Sequence, residues 1–206
     1  TRAGLVPFTL HTDDKAKFSP LSGIAVACLV YNDRASFKEN ILFTHRGLSG
    51  PAILQLSSYW QTGEVVTINL LPEIELTHLL SQKRQQKSQA KVKTLLAEYL
   101  PKRLLATLLA ENLLEITLVE LSDKKIQLLS EQLQQWKIKP NGTEGYRTAE
   151  VTLGGIDCDA ISSKTMQANQ VKGLYFVGEV LDVSGWLGGY NFQWAWSSGW
   201  CAGQYV

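Results

Sequence analysis

Glycine is missing from residues 64–141 and crowded into residues 142–206, which hold eleven of the sixteen. A long glycine-free stretch suits helices, and a glycine-rich one suits tight turns and close backbone approaches. Cysteine is scarce. Cys28, Cys158 and Cys201 make an odd number with no Cys-x-x-Cys, which argues against a disulfide framework or a cysteine-rich zinc site. Methionine occurs once, at Met166, and the chain opens at Thr1, so it reads either as a trimmed chain or as a piece of a longer protein. No apolar run approaches the ~20 residues of a membrane span, and no signal peptide is seen. Excess charge of one sign is absent too. Lys+Arg 20 against Asp+Glu 19 gives a net charge of +1, which excludes a protein-wide basic field for nucleic acid or an anionic membrane. A reduced, cytoplasmic setting is expected.

What is present suits a folded globular protein. Apolar residues make up 45% of the 206 and charged residues 19%. A chain of this length buries roughly 70% of its unfolded surface without staples. Three regions follow. Residues 1–72 read mainly as strands, at Gly4–Leu10, Ile24–Tyr31, Phe37–Phe43 and Glu64–Leu71, with one helix near Gly50–Tyr59. Ile24–Tyr31 reads as a buried strand. Residues 73–135 read as a small helical bundle. Leu76, Leu79 and Leu80 stripe one helix, and Val92, Leu95, Leu96 and Leu100 another that Pro101 ends. Leu104, Leu105, Leu108 and Leu109 stripe a third, and Ser122 caps a last helix with Ile126, Leu129 and Leu133. Its basic strip Lys83, Arg84, Lys87, Lys91, Lys93 lacks interleaved aromatics and reads as a solvated helix face; no nucleic-acid partner is expected. Residues 136–206 return to strands and turns. Gly173–Gly178 reads as turn, buried strand, turn, and an aromatic helix runs from about Tyr190 to Ala202. The fold class expected is α+β.

The stretch GLYFVGEVLDVSGWLGGYNFQWAWSSG at 173–199 carries the chemistry. A strand leads to Gly178-Glu179, then Asp182, then a glycine loop and a helix start. A carboxylate there can accept hydrogen bonds from sugar or ribityl hydroxyls. Gly188 and Gly189 admit a ligand where a Cβ would clash. The helix start at Tyr190-Asn191 aims free N–H groups and the positive dipole end at an anion or carbonyl. The alternative is that these glycines only make tight turns in a strand–loop–helix unit; spacing alone does not decide. A second candidate is Thr44-His45-Arg46-Gly47-Leu48-Ser49-Gly50-Pro51. Ser49 reads as an N-cap with Pro51 in the first turn. His45 has the right pKa range to shuttle a proton, or it serves structure alone. No His/Asp/Glu cluster has metal spacing, so no metal is expected. Phe192, Trp196 and Trp200 share a helix face at i, i+4, i+8, and Trp194, Trp196 and Trp200 read as core packing rather than a stacking platform.

Residues 173–203, the block Phe43–Pro51 and the block Ala149–Ile156 with Thr165-Met166 together resemble a bacterial family of FAD-dependent oxidoreductases, the YhiN/BaiN-type flavoproteins, which include aminoacetone-oxidase-like enzymes. Order and separation match across essentially the whole chain. Gln167-Ala168-Asn169 departs from the family pattern and receives no role. The resemblance implies a barrel-like β insert domain (1–72 and 136–146) carrying a helical subdomain (73–135). It makes 147–206 the C-terminal segment of a Rossmann-like FAD domain. The Gly-x-Gly-x-x-Gly turn that holds the ADP half of FAD is nowhere in the sequence, so the chain resembles the C-terminal portion, and alone it is expected to lack FAD and activity.

Residue by residue, the resemblance implies that Gly178 and Glu179 lie beside the FAD pyrophosphate and ribityl chain. Asp182 would face the ribityl and phosphate region. Gly188, Gly189, Tyr190 and Asn191 would meet the flavin pyrimidine edge, and Gly154-Gly155 would let the chain pass close to the ring system. His45 would sit near the substrate side. The expected activity is hydride transfer between a small organic substrate and FAD, taken from an amine- or alcohol-like substrate or delivered to an unsaturated one, with NAD(P)H use undecided. The rival expectation is a non-catalytic binding module that self-associates through the surface a missing half would cover.

Overall fold

The computed structural model describes residues 1–206. Its centre is an antiparallel hairpin of β3 (Ala25–Tyr31) and β4 (Ser36–Phe43). Asn32 fixes the turn: its side-chain oxygen accepts from the backbone N–H of Arg34 and of Ala35, both at 3.0 Å. Val26, Cys28 and Val30 point inward from β3 while Ala25 and Ala27 are exposed. The strand therefore alternates instead of being buried on both faces, as an antiparallel sheet with one solvated side requires. Burial pushes the Cys28 thiol up to about 12.

Around the hairpin lie β1 (Arg2–Gly4), β2 (Phe8–Thr9), β5 (Gly47–Ser49), β6 (Val66–Asn69), β7 (Trp136–Ile138), β8 (Gly142–Thr143) and β9 (Val151–Leu153). The main sheet has seven strands in the order β7-β6-β3-β4-β5-β2-β8, every pairing antiparallel. Strand β1 is not in it. It pairs with β9, Arg2 opposite Leu153, so the start of the chain is joined to the C-terminal segment rather than to the barrel sheet.

Helix α1 (Thr12–Phe18) follows β2, and helix α2 (Pro51–Ser57) packs on the sheet with Ala52, Ile53 and Leu56 fully buried. The N-cap of α2 is Gly50, not Ser49, which ends β5. Gly50 sits at φ +90, and a Cβ there would lie 2.7 Å from the Asn40 carbonyl oxygen, so the close approach of β4 selects glycine. Pro51 occupies the first turn as expected.

The helical region comprises α3 (Leu76–Gln85), α4 (Val92–Leu96), α5 (Lys102–Leu108), α6 (Glu111–Leu114) and α7 (Asp123–Gln134). The Ser122 hydroxyl caps α7 by accepting from Lys125 N–H at 3.4 Å. One continuous core of 36 buried residues runs from the sheet into these helices. Gln134 stitches the seam, its amide donating to the carbonyls of Leu71 (3.1 Å) and Ile74 (2.6 Å).

The C-terminal segment is thinner. Its own buried cluster has four members, Ile161, Met166, Leu181 and Ala202. Residues 174–177 do not form the expected buried strand. Tyr175 makes a single bridge to Gln167, and Leu174 and Val177 are exposed, because no neighbouring strand offers them a ladder. Helix α8 (Tyr190–Gly203) buries only Ser198 and Ala202. Phe192, Trp196 and Trp200 are 74%, 73% and 71% exposed, so the expectation that Trp196 and Trp200 pack in a core fails. The stripe is real, but nothing in the chain covers it. Trp194 alone turns inward, its indole N–H donating to the Gly178 carbonyl at 2.9 Å.

The chain start is tied to α2 by side chains. Ser57 accepts from Val6 N–H at 3.0 Å and Ser58 from Leu5 N–H at 3.2 Å. Ser57→Ala would leave the buried Val6 N–H unpaired and should lower stability by about 1–3 kcal/mol in urea titration. An unchanged midpoint would show that another acceptor replaces it.

Candidate functional site

The glycine loop 185–189 projects from the C-terminal segment onto the barrel, where Trp186 anchors it. The Trp186 indole N–H donates to the Tyr59 hydroxyl at 2.8 Å. Its ring packs perpendicular to Phe37, with centroids 5.3 Å apart, and Phe37 in turn lies 5.8 Å from Tyr59. The loop is held from the other side by Asn191. Its side chain accepts from Gly185 N–H at 2.7 Å and donates to the Gly185 carbonyl at 3.0 Å. Glu179 ties the segment to β9, accepting from Thr152 N–H at 2.8 Å.

These ties leave a cleft of about 210 Å3 at the junction, lined by Leu5, Glu150, Val151, Glu179, Trp186, Leu187, Gly188, Gly189, Asn191, Phe192 and Ala195. Gly188 and Gly189 sit at φ +116 and +90. A Cβ added to Gly189 would meet nothing within 4 Å, so this glycine opens onto unfilled space. Gly189 is also the N-cap of α8 and has no side chain to cap it. The N–H groups of Tyr190, Asn191 and Phe192 have no acceptor within the chain. Three free donors at the positive end of a fourteen-residue helix thus border the cleft.

Of the expected site residues, Glu179, Gly188, Gly189 and Asn191 line this cleft. Tyr190 adjoins it, its ring against Gly188. Asn191 contributes a clamp on Gly185 besides its backbone N–H. The others lie outside the cleft lining. Gly178 is buried against Ala195 at φ +68, and its N–H donates to the Ser198 hydroxyl at 2.8 Å. Gly155 lies against the chain's own residues 180–182, where a Cβ would come within 2.5 Å of the Val180 carbonyl oxygen. Gly154, at φ +80, faces Thr1. The Asp182 side chain is exposed, makes no hydrogen bond within the chain and is not among the cleft's lining residues. His45 is exposed on the turn between β4 and β5 and does not line it either. The neighbouring Arg46 is paired with the nearly buried Glu144 at 3.0 Å.

Sequence reasoning missed Trp186, Leu5, Glu150 and the Phe37–Tyr59 pair. Trp186 carried a signal, a large aromatic inside a glycine loop. Leu5 and Glu150 reach the cleft only because β1 pairs with β9, a long-range contact that local pattern does not encode.

A model of the barrel and H2TH domain of HI0933-like proteins matches residues 2–151, and a model of the HI0933-like Rossmann domain matches residues 114–205. The chain belongs to the HI0933-like family. It is 53% identical to the ribosomal RNA dihydrouridine synthase of Escherichia coli K12, over 99% of this chain and 52% of that protein. It is 49% identical to the protein of the same name from Haemophilus influenzae, over 96% of this chain and 49% of that protein. A 3-dehydro-bile acid delta(4,6)-reductase of Clostridium scindens is 29% identical over 78% of this chain and 42% of that protein. The chain spans about half the length of the curated relatives it matches. The mixed α+β class stands. No helix is long and apolar enough to cross a membrane.

If Asn191 holds the loop, Asn191→Ala should free residues 185–189. Stability should fall by about 1–3 kcal/mol as the Gly185 groups lose their partners. Chymotrypsin should then cut faster at Trp186 or Leu187. Wild-type cutting rates would show that Trp186 alone holds the loop.

Proposed function

We propose that the whole protein is an FAD-dependent reductase that saturates the C5=C6 bond of a uridine in ribosomal RNA. Two relatives carry that substrate in their names, and the third is named a reductase. This favours hydride delivery to an unsaturated substrate over hydride removal from an amine or alcohol. The likeness to YhiN/BaiN-type flavoproteins noted from the motifs agrees with an FAD enzyme.

The observation that carries the reading is the opening at Gly189 beside three unpartnered helix N–H groups. These residues fit the ring end of a flavin. The open φ +90 glycine leaves room for a planar edge, and the N–H groups with the helix dipole suit the negative charge of a reduced pyrimidine ring. Glu179 suits the ribityl hydroxyls and opposes phosphate, so of the two neighbours first expected the ribityl chain is the one its charge fits. Flavin, when bound, supplies the hydride chemistry. Saturation also adds a proton at the second carbon. His45, away from the cleft lining, is not assigned that task.

The near-zero net charge excludes a protein-wide basic field, but it does not exclude an RNA substrate that is gripped locally. For the chain standing alone, the exposed stripe of Phe192, Trp196 and Trp200 supports a second reading, self-association, which gel filtration at several concentrations would read out.

The test uses the whole protein with FAD, reduced nicotinamide and an rRNA transcript. Mass spectrometry should find uridine heavier by two hydrogens; flavin-loaded protein that leaves the mass unchanged would refute the reading. A paired experiment isolates the loop. Gly189→Val and Gly63→Val both place a side chain at a left-handed glycine with open space around it, φ +90 and +94. Each should lose roughly 1–2 kcal/mol, but only Gly189→Val should lose flavin, read as the flavin-to-protein absorbance ratio. Full flavin in both would make the loop a simple turn.

A further inference from the structure

Trp186 is anchored at its N–H and still about half exposed. Its N–H is fixed by Tyr59 at 2.8 Å and its ring packs perpendicular to Phe37, yet the residue is 53% exposed and lines the cleft next to Gly188 and Gly189. An exposed tryptophan on a glycine loop normally loses rotamer freedom when it binds a ligand. Here the hydrogen bond and the Phe37 contact hold it in one orientation beforehand, so a stacked partner costs less ordering. The cleft rim carries the carboxylates of Glu150 and Glu179 and no lysine or arginine. That rim repels phosphate and leaves an uncharged planar ring as the part of a nucleotide that can enter.

We propose that Trp186 is the stacking platform for the target base of the RNA substrate, placing the base beside the flavin ring that the glycine loop would seat. The proposal rests on the RNA reading above and names the residue that would receive the base. Stacking on an aromatic ring tolerates any base, so Trp186 sets affinity and ring position rather than base identity. Tyr59 is a positioning residue that acts through it.

The whole flavin-loaded protein would be tested as Trp186→Ala, Trp186→Phe and Tyr59→Phe. Affinity for a fluorescent single-stranded rRNA fragment would be read by anisotropy, with flavin content and KM and kcat for dihydrouridine formation alongside. Trp186→Ala should bind the RNA roughly tenfold more weakly, with KM raised in step and flavin content unchanged. Trp186→Phe keeps a ring and should recover most of the affinity. Tyr59→Phe keeps the indole but frees it, and should lie between. Trp186→Ala that binds RNA like the wild type overturns the proposal. So does Trp186→Ala that loses flavin in proportion, which would make the flavin the ring on the indole. If the wild-type protein forms no dihydrouridine, the functional reading fails by itself, and the affinity series still decides the platform.

Discussion

The hydrogen bond from Trp186 to Tyr59 pins the glycine loop to the barrel. On one side is the seven-stranded sheet with its continuous core. On the other is a segment whose own apolar cluster has four buried members, too small to hold its loops by core packing. The glycines of 185–189 lack side chains to pack, and two of them sit in the left-handed region. Such a loop has a definite shape only if something outside it supplies contacts. Trp186 supplies them toward the barrel, Asn191 toward α8 and Glu179 toward β9. The β1–β9 ribbon completes the frame by bringing Leu5 and Glu150 to the same cleft.

Much of this was legible in the sequence where local chemistry decides it. The Asn-Asp-Arg turn, the leucine stripes, the Ser122 cap and Pro51 in a first turn all follow from short-range rules, and they appear where expected. The glycine loop before an aromatic helix was legible as a unit too. What failed depended on distant partners. Ser49 yielded the cap to Gly50 because β4 passes within 2.7 Å, which no local window reveals. Glycine is required at Gly155 by the close Val180 carbonyl and at Gly178 by its φ of +68, internal constraints that select glycine as surely as a cofactor does. Trp196 and Trp200 lie on the apolar stripe that was read, but periodicity predicts a face, not what covers it.

Charge tells a similar story. The basic strip at 83–93 is partly neutralised within the fold. Lys91 and Lys93 both bond Glu115, holding its carboxyl down to about 2, and Arg84 pairs with Asp123 at 2.7 Å. These pairs support the reading of a solvated helix face. The RNA reading proposed above therefore rests on base contacts at the cleft, where Trp186 and Phe192 stand beside the glycines, and not on this strip.

The central claim is that electrons reach uridine from a flavin seated against this loop. The direct measurement is a single turnover without oxygen. The whole protein, with its flavin reduced beforehand and excess reductant removed, is mixed with the rRNA fragment while flavin absorbance is followed. The account predicts that oxidised flavin returns as dihydrouridine forms, one per flavin. Flavin that stays reduced in the presence of the RNA, and reoxidises only when oxygen is admitted, would contradict it.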